Sequence, residues 1–341
     1  MAKATASRLD WVDAAKGLSI LLVVAHHTVW YLQRSGQAPW PVVVGNEALA
    51  SLRMPLFFLA SGLFVAGALA GSWRAMLHKR VAFFLYLYVI WTIIRFTFFA
   101  TLVPPVVDPD DSANPVALAW ALLLPGPSMW FLYALAVFAV VAKLVRRLPV
   151  AVQLGATGVL SALVGAGLVE FGDTRWTYMS RFLFFFLLGC YARPLVERLA
   201  RATSLLRVVA LAVVCVAAAG AAVALGLRSI PGVALGLQCL AVGFGVLFAA
   251  WICRYRLGRP LVALGRQTLP IYLTHMLWLA LIMIAVRQVD LPSVAAYALP
   301  VVMVPVLTVL SLLVHRVLVA AGAGWLFALP SRLSYRPVPQ R

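Results

Sequence analysis

The sequence predicts an all-α, polytopic membrane helix bundle of about ten transmembrane helices with both termini cytoplasmic. Three observations carry that reading. Of 341 residues, 64% are hydrophobic and only 11% charged, where a soluble domain has roughly 25% charged. The mean hydropathy is +0.99. The basic residues stand in short clusters between long uncharged runs. An ordinary water-soluble enzyme is excluded, and so is disorder, which requires low hydrophobicity.

The formal charge of +18 would suit a nucleic-acid binder, but its distribution is that of membrane topology, and no polar stretch is long enough to form a soluble basic face. We therefore expect no nucleic-acid partner and a single membrane domain over 1–341. Residues 1–10 form a polar N-terminus, 11–315 the ten-helix bundle, and 316–341 an interfacial helix with a basic tail. Cys190, Cys215, Cys239 and Cys253 lie in or beside apolar runs without a C-x-x-C pair, so they read as buried free thiols with no metal or disulfide role. The first apolar run is too long for a cleaved signal peptide and lacks a small-residue cleavage site.

A helix needs about 20 apolar residues to cross about 30 Å of hydrocarbon. The uncharged runs at 14–33, 49–71, 81–102, 127–145, 149–170, 178–193, 207–227, 232–253, 267–286 and 294–315 meet or approach that length. The sixth is short and holds Arg181. The stretch 115–124, closed by Pro125-Gly126-Pro127, reads as an interfacial or re-entrant helix, and Val317 to Leu329 as a helix along the surface. With the N-terminus inside, the inner loops carry most of the Lys and Arg. The outer side keeps Arg34, Arg53, Arg95, Arg175, Arg181, Arg228 and Arg287, and most of the acids, Asp108, Asp110 and Asp111 among them. Every alternate loop then obeys the positive-inside rule.

Ionisable groups within the hydrocarbon are costly and mark functional candidates. The first run holds His26 and His27 in LLVVAHHTVW. His27 lies eleven residues after Lys16, close to three full turns, so the two share a helix face about 16 Å apart. Asp13, three residues before Lys16, shares that face and can pair with it. His26 points about 100° away and reads as packing. A plainer account is a snorkelling lysine and two histidines satisfied by neighbours, and spacing leaves both open. Arg53 opens SLRMPLFFLASGLF, where Ser61-Gly62 is also a helix-packing pattern. Arg95 lies in the outer half of the third run, Arg181 opens the sixth, and His275 lies near the middle of the ninth. A shared polar cavity accounts for all of them. Snorkelling to the outer surface is the rival account for Arg53 and Arg181. His78 and His315, at the cytoplasmic interface, carry no functional reading.

The segments DAAKGLSILLVVAHH, RMPLFFLASGLF, HKR at 78–80, MWFLYALAVF, RFLFFFLLGC and LGRQTLPIYLTH occur in that order. Together they resemble the integral-membrane acyltransferase-3 family over residues 8 to about 315. The resemblance implies O-acylation of sugars or other envelope molecules. The family's Arg-x10-His maps onto Lys16 and His27, with Lys in place of Arg, as in the subset called fucose 4-O-acetylase-like. Its FF-x-x-SG motif maps onto Phe57, Phe58, Ser61 and Gly62. Its basic residue before the third helix maps onto Arg80, its Trp-Phe-Leu onto Trp130, Phe131 and Leu132, and its Tyr-x-x-His onto Tyr272 and His275. No esterase-like domain follows the tenth run, as in the short stand-alone form.

Acyl transfer to a hydroxyl needs a base, an oxyanion stabiliser and a positioned thioester. Imidazole suits the base, and His27 is the candidate, with Lys16 and Asp13 on its face completing the catalytic set. No G-x-S-x-G elbow is present, so direct attack by the acceptor is simpler than a serine acyl-enzyme, with a transient acyl-histidine as the variant. The donor is expected to be cytoplasmic acetyl-CoA or another acyl-CoA, met by Lys16, Arg80 and Ser61, and no tightly bound cofactor or metal is expected. The acceptor, a glycan hydroxyl, would come from outside to Arg53, Arg95, Arg181, Trp130, Tyr272 and His275. His275 would bond Tyr272, His27 or the acceptor, or else satisfy a backbone carbonyl. The expected setting is the lipid bilayer of a bacterial cytoplasmic (inner) membrane. The rival class is a multi-span transporter or flippase for an anionic or sugar solute, in which buried histidines relay protons.

Overall fold

A computed structural model describes residues 10–105, 107, 115–123, 125 and 129–330. The described residues are helical with no strand. The elements are α1 (Asp10–Arg34), α2 (Trp40–Ala70), α3 (Trp73–Met76), α4 (Ala82–Leu102), α5 (Pro115–Leu123), α6 (Trp130–Val145), α7 (Val150–Gly165), α8 (Thr174–Tyr191), α9 (Arg193–Arg201), α10 (Leu205–Ala224), α11 (Val233–Ile252), α12 (Gly258–Gly265), α13 (Thr268–Val286) and α14 (Ser293–Ala320). A π-helical turn, Leu77–Val81, joins α3 to α4 without a break.

Each of the ten uncharged runs is a helix. Seven stretches are long and apolar enough to cross a membrane: α1, α2, Trp73–Leu102, α10, α11, α13 and α14. The pair α8 and α9, bent by 80° after Tyr191, makes an eighth if counted as one broken span. Helices α6 and α7, 16 residues each, rise about 24 Å and fall short of a full crossing at right angles. The charges of Lys3, Arg8, Asp108, Asp110, Asp111, Arg332, Arg336 and Arg341, and residues Gly126 and Pro127 of the expected turn, lie outside the described residues.

Helix α1 runs through the middle of the bundle against α2, α11, α12, α13 and α14. Its inner end is bound backbone to backbone. A Cβ on Gly17 would stand 2.1 Å from the Leu261 carbonyl oxygen, and one on Gly265 would stand 1.7 Å from that of Asp13. The same device joins α2 to α8: a Cβ on Gly62 would meet Phe186 O at 2.1 Å, and one on Gly189 would meet Leu59 O at 2.1 Å. Small residues at such contacts let helices pack without a hydrophobic drive from lipid. The packing reading of Ser61-Gly62 thus holds for Gly62.

The C-terminal ends of helices leave carbonyls to satisfy. At the end of α2, Lys143 is 2% exposed and donates to Leu69 O and Gly71 O at 2.5 Å each, and Arg146 Nη1 reaches Leu69 O at 3.0 Å. These two cations, counted in the sequence as topology alone, cap a helix.

One expectation is corrected. Val317 to Leu329 does not form a separate surface helix. Instead α14 continues to Ala320, and a 3-10 turn, Gly324–Leu326, folds back on α4. Tyr86 donates to Trp325 O (3.0 Å) and Trp91 Nε1 to Leu326 O (2.7 Å). His315 stands edge-on to Phe327 with ring centroids 4.5 Å apart.

Candidate active site

Helices α1 and α13 meet at their midpoints through two histidines. His275 Nδ1 lies 2.8 Å from Ile271 O, one turn back on its own helix. A carbonyl only accepts, so the neutral ring carries its proton on Nδ1 and presents a lone pair at Nε2. His27 Nδ1 lies 3.0 Å from that Nε2 and must be the donor. The hydrogen of neutral His27 is thereby fixed on Nδ1, and its Nε2 is left as a bare acceptor. His275 is 1% exposed, whereas His27 is half-buried, so the acceptor end of the chain is the more accessible one.

His27 stands within electrostatic range of His26, Arg53 and Arg95 as well. Arg95 is buried, rests over the Phe99 ring at 4.8 Å, and is also in range of His275 and Tyr272. Arg53 Nη1 donates to Asn46 Oδ1 (3.1 Å), and Asn46 Nδ2 donates to His26 Nδ1 (3.1 Å). His26 is therefore held by an amide, which corrects the expectation that it only packs. Arg181 donates from Nε (3.0 Å) and Nη2 (3.1 Å) to the Gln238 oxygen when that amide is turned towards it. Tyr178 lies within range of both Arg53 and Arg181, and the Trp130 ring stacks beside Tyr178 and Phe182, with centroids 5.9 and 6.3 Å away. Arg53, Arg181 and Trp130 thus gather round Tyr178, while Arg95 and His275 stand by His27.

A cavity of about 290 Å³ opens beside the inner half of α1. Lys16, Ser61 and Arg80 all line it, together with Phe57, Phe131 and Tyr272. Arg80 stands in the π-helical turn, where one extra residue per turn re-aims a side chain, and donates to Phe64 O at 3.1 Å. Ser61 Oγ is turned back to Phe57 O, 2.8 Å away. Tyr272, expected among the acceptor residues, borders this inner cavity instead. Its ring packs against Phe131 (5.6 Å) and stands 6.4 Å from that of His275. His27 is not in the wall, so the cavity reaches the neighbour of its partner.

Asp13 is fully buried and binds Lys16 Nζ at 3.3 Å and Arg266 Nε at 3.2 Å, while Arg266 Nη2 reaches Asp10 at 2.8 Å. The Asp13–Lys16 pairing expected from spacing is present. These two lie at the inner mouth, about 21 Å of helix from His27 in the case of Asp13, so they do not touch the histidine pair. Asn46, Gln238 and Arg266 went unmarked in the sequence. Arg266 carries the one local cue, as the cation within LGRQTLPIYLTH. Among the described residues no three His, Cys, Asp or Glu side chains gather as a metal site would require.

The chain is similar to the inner membrane protein YcfT of Escherichia coli strain K12, 28% identical over 363 aligned positions that cover 95% of this chain and 98% of that one. No solved structure matches. The acyltransferase-3 family model, an acyltransferase domain, matches residues 9–319, which include α1 to α13, nearly all of α14 and every candidate residue above. The chain belongs to the acyltransferase-3 family and is a multi-pass membrane acyltransferase.

Proposed function

We propose that the enzyme moves an acyl group, acetyl in the simplest case, from cytoplasmic acyl-CoA to a hydroxyl of an envelope or exported glycan, with His27 as general base. The observation that carries this reading is the Ile271–His275–His27 hydrogen-bond chain, which leaves His27 Nε2 as an imidazole acceptor. The similarity to an inner membrane protein of Escherichia coli supports a bacterial cytoplasmic membrane as the setting.

The donor enters the inner cavity. Lys16 and Arg80, which line it, face the phosphates, and the phenylalanine walls take the pantetheine arm and thioester. Lys is a point charge and Arg a planar fork, so the two recognise phosphate in different ways. Tyr272 lines the cavity beside Phe131 and its ring stands 6.4 Å from that of His275, so the acyl group approaches the histidines along this wall. Asp13 and Arg266 act as positioning residues that hold Lys16.

The acceptor hydroxyl attacks the thioester carbonyl while His27 Nε2 takes its proton. A C–O bond forms, and Arg95 supplies positive charge for the oxyanion. The tetrahedral intermediate collapses with cleavage of the C–S bond, and the imidazolium returns the proton to the departing thiolate. The products are the O-acyl ester and CoA thiol, and His27 is neutral again. His275 accepts from His27 Nδ1 in both protonation states, so it orients the base throughout.

Purified protein in nanodiscs, given labelled acetyl-CoA and envelope glycans, labels a glycan, and His27→Ala abolishes the labelling. Undiminished label with that variant would overturn the assignment of the base.

A further inference from the structure

We infer that the acceptor is an anion: the molecule acylated carries a carboxylate or phosphate, which Arg53 and Arg181 bind. The inference rests on the proposed acyl transfer and names the chemical class of its acceptor.

Arg53 is 6% exposed and its hydrogen-bond partner is the neutral Asn46 amide. Arg181 is half-buried, and its partner is likewise a neutral amide, Gln238, itself 2% exposed. Neither guanidinium meets a carboxylate among the described residues. Of the described acids in neighbouring segments, Asp173 binds Arg175 at 2.9 Å, and Glu47 and Glu170 are exposed. Burying a cation without a counter-charge is costly, and a snorkelling arginine would leave its head group in water. Here the head groups are turned inward and held by amides.

Each amide orients its arginine and leaves the positive charge uncompensated. Asn46 is itself held by His26 Nδ1 at 3.1 Å, so the Arg53 fork is fixed from behind. A guanidinium presents five donors in a plane, and a carboxylate or phosphate accepts two of them at once. Sugar hydroxyls alone would leave both charges unmatched. Tyr178, in range of both arginines, and the Trp130 ring beside it supply the hydroxyl and the flat apolar face that a sugar ring needs. These features describe a site for an acidic or phosphorylated sugar whose free hydroxyl points to His27.

The test uses the full-length enzyme in nanodiscs, labelled acetyl-CoA, and envelope polysaccharide from the host lacking this gene. Products are separated by anion exchange. We expect the label in fractions that only salt releases. Carboxyl reduction of the polysaccharide beforehand abolishes labelling if the anion is a carboxylate, and dephosphorylation does so if it is a phosphate. Label in the neutral flow-through, or label that survives both treatments, overturns the inference and leaves acyl transfer standing. Absence of label from every fraction counts against the acyl transfer itself. Arg53→Gln and Arg181→Gln should each raise the acceptor KM about tenfold, the loss expected for one charge-assisted hydrogen bond, without changing the KM for acetyl-CoA. Arg53→Lys, which keeps the buried charge, should recover part of that loss. An unchanged acceptor KM in both glutamine variants would also overturn it.

Discussion

His27 Nδ1 lies 3.0 Å from His275 Nε2, and the other nitrogen of His275 is committed to the Ile271 carbonyl at 2.8 Å. Two rings on helices 248 positions apart in sequence thereby settle one another's tautomers. Only one nitrogen of the pair is left to accept a proton from substrate.

The histidines should separate by severity. His27→Ala should lower kcat by about 10²–10⁴, the usual worth of a positioned base. His275→Ala should cost about five- to tenfold, the worth of one neutral hydrogen bond, with the KM for acyl-CoA unchanged. His275→Gln, which can still offer an acceptor to His27, should restore part of the rate. Steady-state kinetics of the three variants measures this, and equal losses for His275→Ala and His275→Gln would remove the orienting role.

Lys16 is assigned to the donor in the proposed mechanism. Lys16→Ala should raise the KM for acyl-CoA at least fivefold, since one charged hydrogen bond is worth about 1.5 kcal/mol or more. The acceptor preference should stay as it was. A variant that changes only the sugar used would place Lys16 on the wrong side.

The contact between α2 and α8 tolerates no added carbon. Gly62→Ala places a Cβ 2.1 Å from the Phe186 carbonyl, and overpacking of this kind costs about 1–3 kcal/mol. We expect a lower unfolding temperature in detergent and reduced monodisperse yield. Gly220→Ala, where an added Cβ meets nothing within 4 Å, is the control and should leave both unchanged.

Lys143 should matter for folding. Lys143→Met removes the donor to Leu69 O and Gly71 O and leaves acceptors at the α2 terminus unsatisfied, at about 1–3 kcal/mol. The KM for acyl-CoA of the folded fraction should be that of the wild type, because Lys143 is outside the cavity wall. Thermal unfolding and donor titration together check this.

Hydrophobic runs made the helices legible, because lipid requires each span to be apolar and internally hydrogen-bonded. Lys16 was assigned to the donor from its depth, and Ser61 and Arg80 from the motifs they match; all three line one cavity. Rotation about the helix axis was harder to read. Tyr272 was assigned outward, yet its ring borders the inner cavity, because the turn of α13 is set by partners such as Phe131. Asn46 and Gln238 are ordinary residues in apolar runs, and only the fold brings them to Arg53 and Arg181. The end of α14 was set five residues early, at 315, because Arg316 closes the uncharged run, whereas the helix continues to Ala320.

Lys16 and His27 stand on a single uninterrupted helix, and this rigidity gives the enzyme a ruler. The gap between the proposed phosphate anchor and the proposed base is set by eleven residues of helical backbone. A carrier whose thioester arm is cut short, such as S-acetyl-N-acetylcysteamine, cannot touch both marks at once and should be a poor substitute for acetyl-CoA even at saturation.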